Sequence, residues 1–526
     1  MPNDMISTPG SVLGEAIETA PPAPMPGDLN DELITTDSWT DDMVQRAGIP
    51  IVDVPIVTCG GGMGSFVFTN YLRVAGADTS QIRVLSNLDY PWQTYEYLTK
   101  VSQIPRDARL RSDSQSRPDC LWGFPSYALH EARRDKRLHP IWNVLSEPVL
   151  ADYWTPLAGT VFATMEKEAA RIRYREMLVT GQVRMVRRRV DGGYFTILTP
   201  PPGASATRRI AYRSQFVHLA IGYPGLKFLP DLQEYRTKYN DLARTVNAYE
   251  PHEHVYESLL RKPGKVLVRG GGVVASRVLQ RLMEDRINKG AQTEILHLFR
   301  TYYSGRHNKW GLAKRRGAYG FAFQGFNAPK SAWGGQHIDQ MLKLEGTARK
   351  DLYELTGGAH TPYRKLWLDQ MKLARQAGWY TTYQGEVTDV RPGTDGVITT
   401  IKQKNASMAT LEASVIIDCT GLEADIREHR MLADLLDHSG AGRNPLGRLD
   451  VDPSFEIRGT RSGPGRMYGS GAATYGGYFQ GVDTFLGLQL SAQRITDDLA
   501  AQGFLKRIGI ARSVGSWWKW FRHTPI

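Results

Sequence analysis

Apolar and β-branched residues first gather at IPIVDVPIVTC and stop at three glycines, Gly60 to Gly62. A short run of this kind, ended by glycine, predicts a strand that feeds a tight turn. The segment behind it, MGSFVFTNYL, predicts a helix. KVLVRGGGVVASRVLQRLMED repeats the order of strand, glycine turn and helix. Further helices are predicted in TVFATMEKEAARIRYREML and TPYRKLWLDQMKLARQAG, where apolar residues fall three and four apart. Short alternating segments QVRMVRRRV, GGYFTILTP and RRIAYRSQFVHLAIG predict an antiparallel meander that returns to a buried strand. YQGEVTDVRPGTDGVITTIKQ followed by ASVIIDCTG predicts a second one. The order of glycine turn, meander, buried strand and glycine thus occurs twice, a duplicated architecture rather than a solenoid.

Composition adds bounds to this picture. Residues 1–48 are rich in Pro, Gly, Ser, Thr and Asp, which predicts a flexible arm. The 526 residues, 41% hydrophobic and 23% charged, exclude collagen-like and wholly disordered classes and leave room for several domains. The three cysteines, Cys59, Cys120 and Cys419, form no CxxC pair. That pattern argues against a zinc ribbon, a redox dithiol and a disulfide framework, and no metal site is expected. It fits a reducing, cytoplasmic setting. The start carries no basic-then-apolar leader, and no run of about 18 apolar residues predicts a spanning helix. The net charge of +11 fits a basic face or an acidic ligand. No motif supports nucleic-acid binding.

The glycine turns carry the candidate chemistry. Gly60-x-Gly62-x-x-Ser65 and Gly270-x-Gly272-x-x-Ala275 both fit a dinucleotide fingerprint. The first glycine permits the turn, the second lets backbone approach a pyrophosphate, and the small third residue lets helix and strand pack. In the first turn Met63 and Gly64 open the helix whose amides would face the phosphates. An acidic ribose ligand belongs at the end of the next strand. After the first turn that end carries Ser86 and Asn87, with Asp89 displaced beyond them. After the second it carries Arg300 and Thr301 and no acid, which favours a 2′-phosphate and hence NADPH.

Two such turns, with buried strands ending AIGYPG and DCTG, resemble the two-dinucleotide-binding flavoproteins over residues 50–505. The resemblance implies an α/β fold of two Rossmann-like domains with β-meanders, the NADPH domain inserted into the FAD domain. It divides the chain into the arm 1–48, FAD-domain parts at 49–225 and 381–505, an NADPH domain with a helical insertion at 226–380, and a tail at 506–526. Within that superfamily, YPWQTYEYLTK, RLRSDSQSRPDCLWGFPSYAL, YGFAFQGFNAP and YFQGVDTFLGLQLSAQRITDDL resemble the class B flavin monooxygenases. They are most similar to the N-hydroxylating lysine/ornithine branch. The resemblance places Asn87, Trp92, Asp483 and Thr484 at the cofactor and Arg111 and Asn327 at the substrate. That branch carries a lysine in the loop where this chain has Arg109 and Arg111. The implied activity is FAD- and NADPH-dependent hydroxylation of a small molecule with O2, at an amine nitrogen in that branch. A flavin reductase or dehydrogenase serving a quinone or protein, and a non-catalytic flavoprotein-like subunit, stay open.

Three further features have both bland and functional readings. His252 and His254 form an HxH without a third ligand, more often structural than metallic. Arg306, His307, Lys309, Lys314, Arg315 and Arg316 either steer phosphates or form a solvated loop. The tail LKRIGIARSVGSWWKWFRHTPI interleaves tryptophans with basic residues. It either packs on its own domain or meets a membrane surface or a partner subunit, including a second copy of the chain.

Overall fold

The computed structural model describes residues 27–110, 126–150, 154–201, 208–223, 225–307, 315–323, 336–356, 361, 364–422 and 425–526. Its first glycine turn joins strand β1 (Ile56–Cys59) to helix α1 (Met63–Val74). Strands β2 (Ile82–Ser86), β3 (Leu178–Thr180) and β4 (Phe216–Leu219) follow. The second turn joins β6 (Gly264–Arg269) to α2 (Val273–Lys289), with β5 (Thr245–Asn247) before it and β7 (Thr293–Phe299), β8 (Tyr380–Pro392) and β9 (Val415–Asp418) after it. Strand β10 (Arg466–Gly469) and helices α3 (Phe485–Ala501) and α4 (Ile510–Phe521) complete the part of the chain that matters here.

The duplication is visible in the sheets. One runs β10-β4-β1-β2-β3, the other β5-β9-β6-β7-β8, and every pairing within these five-strand sets is parallel. All residues of β1, β4 and β9 are buried, the pattern expected of strands covered on both faces. In each repeat the third strand leads into a meander and the chain returns as the fourth. In the first repeat the meander is Gln182–Arg189, Tyr194–Thr199 and Ile210–Ser214; in the second it is β8 itself with Val397–Gln403 and Met408–Ala413.

This places residues 380–418 in the second sheet, so the expected division at 380 falls inside one domain. Hydrogen-bonded register is the cause: β8 pairs with β7 from Ile295–Tyr380 to Phe299–Gln384, and β9 pairs with β6. The second domain's cores draw on residues from Leu229 to Cys419. The first domain's core, which also takes in Ile338, resumes after that sheet at Ile426.

The arm also differs from expectation. From residue 27 onward it is built into the fold. Asn30 caps the short helix Asp31–Thr35 and Thr40 caps Asp41–Arg46, each accepting a backbone N–H. Leu33, Trp39 and Val44 are fully buried against Met185, Phe195 and Ile197 of the first meander. Residues 1–26 lie outside the described residues.

The tail forms a helix, with Gly509 as its uncapped N-cap and Gly515 inside it. It docks on the far end of α1. Lys506 N–H donates to the Ala75 carbonyl at 3.1 Å, Arg512 Nη1 donates to the Val74 carbonyl at 3.0 Å, and Trp520 is buried. No described helix is long and apolar enough to cross a membrane.

Candidate functional site

The two turns share one geometry. Gly60 has φ +89° and Gly270 φ +119°, the left-handed region that glycine tolerates. A Cβ on Gly60 would stand 2.6 Å from the Ala220 carbonyl oxygen; on Gly270, 2.7 Å from that of Cys419. Each first glycine is thus pressed against the end of the returning strand. A Cβ on Gly62 or Gly272 would meet nothing within 4 Å. Neither helix is capped by a side chain. Open space beside a second glycine and free N–H groups at a helix start form a cradle suited to a pyrophosphate. Gly222 (φ +79°) and Gly421 (φ +131°) end the two returning strands in the same way, with open space where a side chain would be.

Hydrogen bonds hold each turn from behind. Ser65 Oγ donates to the Gly60 carbonyl and lies 2.9 Å from Thr58 Oγ1. His218 continues the chain, with Nδ1 2.8 Å from Thr58 Oγ1 and Nε2 2.8 Å from Ser470 Oγ. In the second domain His297 Nε2 lies 2.6 Å from the Gly270 carbonyl, and Nδ1 2.8 Å from Tyr380 Oη. Burial lowers both imidazoles to about 3, so both are neutral at physiological pH. Ala275 fills the place of Ser65 and is fully buried.

The remaining predicted residues group around these cradles to different degrees. Gly64, in the first turn of α1, faces the start of α3: a Cβ there would be 3.1 Å from Ala220 Cβ and Ser470 Oγ and 3.6 Å from Leu488 Cδ2 of α3. The start of α3, with Asp483 and Thr484, therefore approaches the first turn. Thr484 caps α3 through the Gly487 N–H, and Asp483 accepts a hydrogen bond from Tyr223 Oη. Asn87 is exposed just past β2, as is Asp89. Arg300 and Thr301 are exposed just past β7, and Gln384 Nε2 donates to the Arg300 carbonyl at 3.1 Å. Trp92 is buried behind the cradle, its ring edge-on to Phe66 of α1 and 5.1 Å from Tyr90. Arg111 and Asn327 lie outside the described residues, as do Lys309 and Lys314. Arg109 is engaged: it pairs with the buried Glu131 and donates to the Thr155 carbonyl at 2.6 Å.

His252 is bonded to the Glu250 carbonyl and to Tyr256 Oη, and no cluster of metal-ligating side chains occurs among the described residues. The sequence reading gave Gly61 and Ser86 no role of their own and missed His218, His297 and Ser470. Gly61 is fixed because a Cβ there would stand 2.2 Å from Ser86 Oγ.

No family model and no curated protein sequence matches the chain. Solved structures do share its fold. The ornithine N-hydroxylase of Kutzneria sp. 744, a complex with reduced FAD, NADP+ and L-ornithine, superposes with a TM-score of 0.58 at 13% identity, covering 86% of this chain and 100% of that one. The L-lysine 6-monooxygenase of Pseudomonas syringae gives 0.59 at 14%, covering 85% and 99%. The FAD-bound cadaverine monooxygenase of Erwinia amylovora also gives 0.59 at 14%, covering 85% and 95%. The chain thus has the fold of the two-dinucleotide-binding flavoproteins over most of its length.

Proposed function

We propose that this protein is an FAD- and NADPH-dependent monooxygenase that hydroxylates a small amine. The observation that supports it is the pair of open cradles, one per parallel sheet, at Gly60–Gly62 and Gly270–Gly272. In this reading the first holds the FAD pyrophosphate on the N–H groups at the start of α1, with Asn87 or Asp89 near the ribose. The second holds NADPH, and the exposed Arg300, with Thr301 beside it, meets the 2′-phosphate. Thr484 and Asp483 bring the start of α3 to the flavin. Bound FAD supplies the redox chemistry, passing electrons from NADPH to O2. The chain's part is to hold two nucleotides in register and keep the space between them dry.

The solved neighbours act on ornithine, lysine and cadaverine, all carrying a primary amine. With Arg109 committed to Glu131, a substrate carboxylate would be left to Arg111. The decisive experiment is the visible spectrum of the purified protein before and after anaerobic NADPH. A bound flavin that NADPH bleaches, followed by hydroxylated amine and matching NADPH loss in air, supports the reading. A flavin that NADPH cannot reduce selects the non-catalytic subunit. Reduction that serves only a quinone or protein acceptor selects the reductase.

A further inference from the structure

Helix α4 carries four apolar side chains on one stripe, at positions 510, 514, 518 and 521. They stand in water: Ile510 is 85% exposed, Val514 50%, Trp518 45% and Phe521 50%. Trp517 and Phe521 stack with ring centroids 5.5 Å apart, and Trp518 lies 5.8 Å from Phe521. The three rings form one continuous apolar patch. Arg522 and, on the approach to the helix, Lys506 and Arg507 are exposed, whereas Arg512 and Lys519 line the groove between α4 and the end of α1; the sequence from Leu499 to Ile526 contains no acid. Arg522 lies over the Trp518 ring at 4.5 Å, within the same patch.

The mount of this helix is as informative as its composition. Trp520 is buried, Arg512 and the Lys506 backbone hold the end of α1, and Ile526 N–H reaches the Arg171 carbonyl at 3.5 Å. The helix is formed and fixed before anything touches its outer stripe, so docking incurs little ordering entropy. A purely internal packing element would turn its aromatics inward. This one turns in Trp520 and leaves three large apolar side chains and Val514 outward.

We infer that α4 seats the protein on an anionic lipid bilayer, lying in the headgroup plane. Trp518, Phe521, Ile510 and Val514 enter the acyl boundary, and Lys506, Arg507 and Arg522 meet lipid phosphates. Charge complementarity selects this occupant: a segment with exposed Lys506, Arg507 and Arg522, no acid of its own and aromatics turned outward suits an anionic surface, where tryptophan is at home at headgroup depth.

The test uses the full chain with its flavin. Vesicles of phosphatidylcholine alone are compared with vesicles containing about 30 mol% phosphatidylglycerol, and bound protein is read by co-sedimentation. Binding is expected only to the anionic vesicles, falling several-fold when salt rises from about 0.1 to 0.5 M. Trp518→Gln/Phe521→Gln changes two exposed side chains and is expected to lower partitioning at least about tenfold. Lys506→Gln/Arg507→Gln is expected to lower it by about fivefold for each charge that faces the surface. Flavin content and melting temperature of each variant check that the fold is intact. No binding to anionic vesicles overturns the inference, as does equal binding by the aromatic variant. A native mass of two copies that Trp518→Gln/Phe521→Gln converts to one also overturns it, because the patch would then be a subunit interface.

Discussion

His297 lies 2.6 Å from the carbonyl oxygen of Gly270, the first glycine of the second turn, and is completely buried. A carbonyl can only accept, so Nε2 carries the proton and Nδ1 accepts from Tyr380 Oη. The ring is therefore a neutral peg that fixes the turn. His218 stands behind the first turn with a comparably lowered value.

These two rings predict acid sensitivity. Their folded-state values, about 3, lie below the ordinary 6.5 of the unfolded chain. The stability they contribute is complete above that ordinary value and is lost as pH falls toward 3. At pH 5 each ring costs about 2 kcal/mol relative to pH 7. Melting temperature should therefore fall between pH 7 and 5, and His297→Gln should show a shallower fall despite starting lower. An unchanged slope would contradict the neutral assignment.

The turn glycines should separate stability from ligand binding. Gly60→Ala places a side chain against Ala220 in a left-handed backbone and should cost on the order of 2 kcal/mol of stability or more. Gly62→Val meets no protein atom at its Cβ, so it should fold and purify with little flavin. Gly272→Val should keep the flavin and raise the KM for NADPH at least about tenfold. Flavin absorbance per protein and steady-state kinetics read both effects.

Arg300→Ala should weaken NADPH by roughly tenfold and leave NADH nearly unchanged, as expected when a charged contact to a 2′-phosphate is lost. Equal effects on the two nucleotides would remove Arg300 from the site. Anaerobic flavin reduction at varied nucleotide concentration makes the comparison without a known substrate.

The Arg187 guanidinium has no exposed surface and pairs with Asp434, while also donating to the Ile34 and Thr36 carbonyls at 3.1 Å. It ties the N-terminal arm, the first meander and the helix Arg430–His438 together. Asp434→Asn leaves a buried charge without its counter-ion and should lower stability by about 3 kcal/mol, whereas Arg187→Met/Asp434→Leu should recover part of that loss. Chemical denaturation of the three proteins checks it.

Local pattern made the glycine turns and both meanders legible, because strand, turn and helix signals lie within one short window. The repeated order of turn, meander and strand also held the domain boundary: the second meander belongs with the second turn, as β9 beside β6 shows. The arm misled because its composition is polar overall. The caps at Asn30 and Thr40 and the isolated Leu33, Trp39 and Val44 were the available signals. The hydrogen-bond chain Ser65–Thr58–His218–Ser470 had none. Thr58 and His218 meet only through the register of β1 with β4, which no local window contains.

Helix α1 has its cradle at one end and the footing of α4 at the other. Its 12 residues put about 18 Å between them. If the cradle holds FAD and α4 meets a bilayer, as proposed, chemistry and whereabouts are written at opposite ends of a single rod. On those readings, substitutions at one end would leave the other undisturbed, and selection could move the protein between solution and surface without retuning its catalysis.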